Sequence, residues 1–195
     1  MGIIMLLSDG LTTKMGCKLV SKKLCNENIG AKRILLISPP QYGLSDALVE
    51  ACILIGFARD NIVIYRDIQD IKANFDYIYV TEGNTFLILD YIKKNCLFDF
   101  IRDNFKSGRT DYIGASAGAM IAGKDIRLAS DFDTNFVDVT DLKALGLFDG
   151  TIIPHYKQSE LKRYIQNSDK KIIERYKNIY SVGNGKVLIL DVFNG

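Results

Sequence analysis

The residues best suited to covalent chemistry are a serine framed by glycines and a histidine that has no second copy anywhere in the chain. Gly114-Ala115-Ser116-Ala117-Gly118 fits G-x-S-x-G, with an apolar run before it and small residues of helical character after it. That context is the one the motif needs: a tight strand-to-helix turn projects the serine hydroxyl above a sheet edge, and flanking glycines let neighbouring backbones approach. The N-terminus of the following helix aims free N–H groups at the same point, which makes the Ala117 N–H a candidate oxyanion donor. A nucleophilic serine needs a base, and His155 is the only histidine in the sequence. Any serine mechanism here therefore uses His155 as its imidazole or uses none, and metal sites built on two or three imidazoles are excluded. A third group should orient the ring. Between the two residues stand Asp125, Asp131, Asp133, Asp138, Asp141 and Asp149, and their positions alone do not choose among them.

The elements that would position these groups alternate between short apolar runs and longer segments of helical period, as in a parallel sheet covered by helices. Strands are expected at Ile3 to Leu7, Arg33 to Ser38, Ile62 to Tyr65, Phe75 to Thr81, Tyr112 to Ala115, Thr151 to Ile153, Tyr180 to Val182 and Val187 to Asp191. Helices are expected from Thr13 to Cys25, with Met15, Leu19, Val20 and Leu24 on one face, and from a Ser45 cap to Ile55. Others should start near Thr85, Phe98 and Ala117, and two basic amphipathic stretches follow Pro154-His155. From Ile126 to Val139 no period is evident. The expected fold is α/β with three layers and a mostly parallel sheet, in a single domain spanning 1–195.

The chain has 195 residues with 25 Lys+Arg against 23 Asp+Glu, a net charge of +2, so nothing in the overall balance points to a nucleic acid or membrane surface as partner. Residues 157 to 177 hold seven basic and three acidic side chains, which reads as a solvated helix face or as attraction for an acidic substrate. Cys17, Cys25, Cys52 and Cys96 form no C-x-x-C pair, and are expected to be small buried hydrophobes in a reducing compartment. The apolar N-terminus lacks a basic leader and is broken at Ser8-Asp9-Gly10, so a cytoplasmic location is expected, with no cofactor and no metal.

Four segments together resemble the serine peptidases that include dipeptidase E (aspartyl dipeptidase) and cyanophycinase. They are LLSDGLT near the start, E-G-N-T-F at 82 to 86, G-A-S-A-G-A followed by M-I-A-G-x-x-I-R, and P-H-Y at 154 to 156. The resemblance implies a class I glutamine amidotransferase-like, flavodoxin-like fold with serine in place of the amidotransferase cysteine. It implies hydrolysis of short peptides, with a preference for an N-terminal acidic residue, by a monomer or homodimer. Position by position it places the nucleophile on Ser116, the base on His155 and the orienting acid on Asp131, at the end of G-K-D-I-R-L-A-S-D. It assigns the Gly83 N–H as second oxyanion donor beside Ala117, and puts Asn84 at the substrate site.

This sequence departs from the family pattern at Glu82, which stands where the first glycine of G-G-N is usual. Lys157, Lys162 and Arg163 are the candidates for reading an acidic side chain. The stretch Ser181 to Gly185, where some relatives carry a glutamate near the histidine, has no carboxylate. Two other readings fit parts of the chain. An α/β-hydrolase esterase shares the order serine, acid, histidine but would bring an HGGG-type motif, which is missing. A non-catalytic binding or regulatory protein could keep the same fold.

Overall fold

A computed structural model describes residues 2–192. Five strands, Gly2–Leu7 (β1), Ile34–Ile37 (β2), Ile62–Ile64 (β3), Tyr77–Val80 (β4) and Asp111–Ala115 (β5), pair in parallel in the order β3-β2-β4-β5-β1. Val187–Val192 (β8) closes the β1 edge as an antiparallel strand, with Leu7 opposite Val187. Buried on both faces, β2 and β4 are apolar throughout, as such strands must be.

Successive residues of each strand feed opposite cores, following the two-residue period of a pleated strand. On one face Met5, Leu7, Ile34, Leu36, Tyr77 and Tyr79 pack against Lys14–Leu24 (α1) and Ser45–Ile55 (α2). On the other, Ile4, Leu6, Leu35, Ile37, Ile78 and Val80 meet Thr85–Lys94 (α3), Leu97–Lys106 (α4) and Ala117–Ile121 (α5). The result is the three-layer α/β arrangement expected from the alternating pattern.

Local expectations failed in three places. Met15 does not join the buried face of α1, which turns Gly16, Val20 and Leu24 inward and leaves Met15 exposed, because Gly16 must sit against the Gly10 carbonyl. Ser45 opens α2 but Leu44 holds the cap position, and no side chain caps it. Of the cysteines only Cys52 is buried, its thiol pushed up to about 12 by burial, while Cys25 and Cys96 are exposed.

Beyond α5 the chain makes a 3-10 turn at Arg127–Asp131 and runs irregularly to 150. Its loop is pinned to the start of α3, where the Thr85 N–H and hydroxyl both donate to Asp133 Oδ2, at 2.8 and 2.6 Å. Thr151–Pro154 (β6) and Ile179–Val182 (β7) then form a separate parallel ribbon, joined by Gln158–Asn167 (α6) and Lys170–Ile173 (α7). Ile152 and Ile153 pack into the same core as α5, so the ribbon stands beside the helix that follows Ser116. No helix of the described residues is long and apolar enough to cross a membrane.

Candidate active site

The carboxyl ends of β1, β4 and β5 lie side by side, which is where parallel α/β sheets present their ligand crevices. Ser116 sits there immediately after β5, with its N–H donating to the Leu7 carbonyl at 2.8 Å. Its backbone is strained, at φ 46° and ψ −105°, and its hydroxyl makes no capping bond to α5. Both glycines of the motif are sterically required. A Cβ on Gly114 would lie 2.6 Å from the Gly118 carbonyl oxygen, and one on Gly118 would lie 2.2 Å from that of Val80.

His155 follows β6 directly, also at positive φ (66°), and its Nε2 is 3.0 Å from Ser116 Oγ. Four non-glycine residues among those described have positive φ, and these two are half of them, so the strain concentrates where serine and imidazole meet. The His155 N–H donates to Ser8 Oγ at 2.9 Å, and the Ser8 hydroxyl in turn donates to the Val182 carbonyl. Ser8, at the end of β1, thus joins the ends of β6 and β7.

The other ring nitrogen, Nδ1, lies 2.8 Å from Asn184 Oδ1. An amide oxygen only accepts, so this contact places the proton on Nδ1 and leaves the Nε2 lone pair toward the Ser116 hydroxyl. The parallel pairing explains why the two residues meet: Pro154 is opposite Val182, so His155 and Asn184 emerge from the same end of the ribbon.

Asp131, expected as the orienting acid, has a different hydrogen-bond partner in this structure. Its Oδ2 accepts the Tyr164 hydroxyl at 2.6 Å, and that bond links the 3-10 turn to α6 instead of reaching the imidazole. Burial first, and then the Asp131 hydrogen bond and charge, push the Tyr164 phenol well above its ordinary range. Asp131 does line a cavity of about 690 Å³ beside His155, with Arg127, Tyr156, Arg163 and Tyr164 also in its wall. A second cavity, of about 440 Å³, lies on the Asn184 side of the ring and includes Lys157 and Lys186. Of the three basic candidates, Arg163 faces the first space, Lys157 the second, and Lys162 neither.

The turn at 82 to 84 stands between β4 and α3, and the Thr81 carbonyl accepts the Gly118 N–H at 3.1 Å, which ties it to the elbow. Gly83 has φ 139°, and a Cβ there would lie 2.5 Å from the Tyr42 hydroxyl oxygen. Neither the Gly83 nor the Ala117 N–H has an acceptor among the described residues. Glu82, the departure from the family pattern, receives hydroxyl protons from Thr12 (2.9 Å), Tyr79 (2.8 Å) and Thr81 (3.0 Å). It therefore braces the turn against the loop after β1, close against Gly10, where a Cβ would fall 2.0 Å from the Glu82 carboxylate and displace it. The Asn84 side chain is already committed: Oδ1 caps α3 by accepting the Leu87 N–H at 3.0 Å, and Nδ2 donates to the Thr134 carbonyl at 2.9 Å. Asn84, expected at the substrate site, therefore has both ends of its amide in internal bonds.

Asn184 was not among the residues expected here, because Ser181 to Gly185 has no carboxylate and its one candidate partner for a ring is an amide. The usable signal was an Asn between two glycines at the end of a strand that follows the His strand. Among the described residues no cluster of His, Cys, Asp and Glu could hold a metal ion.

Residues 61–191 match the family model described as Peptidase family S51. An uncharacterized peptidase of Listeria monocytogenes is 33% identical over 120 residues, covering 59% of this chain and 56% of that protein. A peptidase E of Actinobacillus pleuropneumoniae is 32% identical over 108 residues, 55% of this chain and 45% of its own length. The chain thus spans about half the length of the curated relatives it matches. A crystal structure of a candidate peptidase E from Listeria monocytogenes superposes with a TM-score of 0.71 at 26% identity, covering 97% of this chain and 94% of that one. A peptidase from an acI-B1 actinobacterium shares the fold, with TM-score 0.64, 16% identity, and coverage of 97% and 83%.

Proposed function

Because this chain belongs to peptidase family S51, we propose that it is a serine peptidase cleaving short peptides through Ser116, His155 and Asn184. The observation that carries the reading is the 3.0 Å approach of Ser116 Oγ to His155 Nε2, with each residue held at positive φ. Ser116 Oγ attacks the scissile carbonyl carbon as its proton passes to Nε2. The tetrahedral oxyanion is held by the Gly83 and Ala117 N–H groups. Collapse breaks the C–N bond, the imidazolium returns the proton to the leaving amine, and a water activated by the same ring hydrolyses the acyl-enzyme.

Asn184, not Asp131, orients the ring in this reading, which makes the trio formally like the Cys-His-Asn arrangement of papain-like enzymes with oxygen as nucleophile. The cavity beside His155 suits a short peptide. Arg127 and Arg163 in its wall supply positive charge for an N-terminal acidic side chain, while Asp131, Glu160 and Asp169 supply negative charge for a free α-amino group.

The test is hydrolysis of Asp-Xaa, Glu-Xaa and neutral dipeptides and of a simple ester, by wild type and Ser116→Ala. Faster cleavage of the acidic dipeptides, abolished in the variant, is the expected result. Turnover of the ester alone would replace the peptidase reading with an esterase, and no turnover of any substrate would leave a binding protein on this fold.

A further inference from the structure

We propose that Asp9 is a positioning residue for the imidazole, acting through the loop that carries Asn184; this rests on the reading of Asn184 as the orienting group. Asn184 lies between Gly183 and Gly185 in the four-residue turn joining β7 to β8, closed by the Lys186 N–H donating to the Gly183 carbonyl at 3.1 Å. Gly185 has φ 71°, a conformation that glycine adopts freely, so local backbone preference does little to fix where the amide points. Asn184 is itself exposed.

The tip of the turn is held by Asp9, whose Oδ2 accepts the Gly185 N–H at 2.6 Å across 176 residues of sequence. A carboxylate receiving a backbone N–H makes a short, charge-assisted bond, stronger than one between neutral groups. The neighbouring Ser8 performs the matching task one step inward, accepting the His155 N–H and donating to the Val182 carbonyl. The two residues after β1 therefore fix both partners of the Nδ1 contact, Ser8 at the His155 backbone and Asp9 at the peptide that follows Asn184. Among the described residues Asp9 makes no hydrogen bond to Ser116 or to the ring. Its effect is on where the Asn184 oxygen sits, and hence on which nitrogen of His155 carries the proton.

The lone histidine makes this directly measurable, since every imidazole signal in a nitrogen-correlated NMR spectrum belongs to His155. In wild type the Nδ1–H tautomer and a slowly exchanging Gly185 amide are expected. Asp9→Ala should lower kcat by roughly tenfold with KM within about twofold, and shift the ring toward a mixture of tautomers, in a protein with unchanged thermal unfolding. Asp9→Asn keeps an acceptor for Gly185 and should restore most of both. Unaltered kcat and ring signals in folded Asp9→Ala would overturn the proposal, as would an Asp9→Asn variant as impaired as the alanine one. A freely exchanging Gly185 amide in wild type would overturn it without any variant. The ring signals do not depend on turnover, so a protein lacking peptidase activity but showing the Asp9-dependent tautomer would defeat the catalytic reading and leave the positioning one standing.

Discussion

The two sides of the candidate site are built by different means. Ser116 is fixed by the main chain: a central parallel strand leads into it, its N–H bonds to the Leu7 carbonyl, and the Gly114 and Gly118 backbones fit against neighbours with no room for a methyl group. His155 stands on a two-stranded ribbon outside the main sheet, exposed, and is held by the hydrogen bonds it donates to the side chains of Ser8 and Asn184. The nucleophile side is thus inseparable from the core. The imidazole side can be disturbed while the fold stays intact, and the two should respond differently to substitution.

Ser116→Ala is expected to have the largest effect on chemistry: loss of the nucleophile in serine hydrolases lowers kcat on the order of 10⁶-fold. Steady-state peptide hydrolysis measures it, and thermal unfolding should be nearly unaltered. Gly118→Ala, next in size, tests the claim that the elbow is part of the core. Its Cβ would meet the Val80 carbonyl at 2.2 Å, and forced overpacking of this kind costs about 3 kcal/mol. Denaturant unfolding should show the loss, and full stability would mean that the elbow backbone is less constrained than described.

Asn184→Ala probes the opposite side, with kcat falling about a hundredfold as the ring loses its tautomer partner and the denaturant midpoint remaining within error. Asp131→Ala, by contrast, should remove the Tyr164 contact and change kcat only a few-fold.

The smallest effect is expected far from the site, at the amino ends of the strands. Asp76 accepts from Lys32 Nζ at 2.9 Å and from the Arg33 N–H at 2.8 Å. Burial opposes its charge, but these donors outweigh it and hold the carboxyl below its usual range. A carboxylate depressed in the folded state stabilises fully above the unfolded value of about 4, and that contribution disappears as the pH falls through the lower folded value. Asp76→Ala should therefore lower Tm by about 2 °C near neutral pH, with the difference shrinking as the pH falls below about 4, as calorimetry across pH would show.

The same contrast explains what could be read from the sequence. Ser116, its glycines and the strand before it follow local rules, in which motif, period and sterics act over a few residues, and they were found where expected. His155 stands out in the sequence because it has no competitor. Its partner was missed for a physical reason: the β6–β7 pairing that brings Asn184 to the ring joins segments separated by two helices, and nothing local marks an asparagine as the end of that contact. Asp131 matched a family position, yet the 3-10 turn that carries it faces α6. Glu82 departs from the family pattern, and only the fold shows the three hydroxyl donors, from Thr12, Tyr79 and Thr81, that accommodate its charge. Asn84 was correctly placed on the turn, but both ends of its amide are used by α3 and Thr134.

The central claim is that Ser116 is activated by a ring held by Asn184. The most direct measurement is the rate at which a fluorophosphonate labels the chain, followed by intact mass and peptide mapping. A single adduct on Ser116 is predicted, absent in His155→Ala, about a hundredfold slower in Asn184→Ala and within threefold of wild type in Asp131→Ala. An adduct elsewhere, or slow labelling in Asp131→Ala with a normal rate in Asn184→Ala, would contradict it.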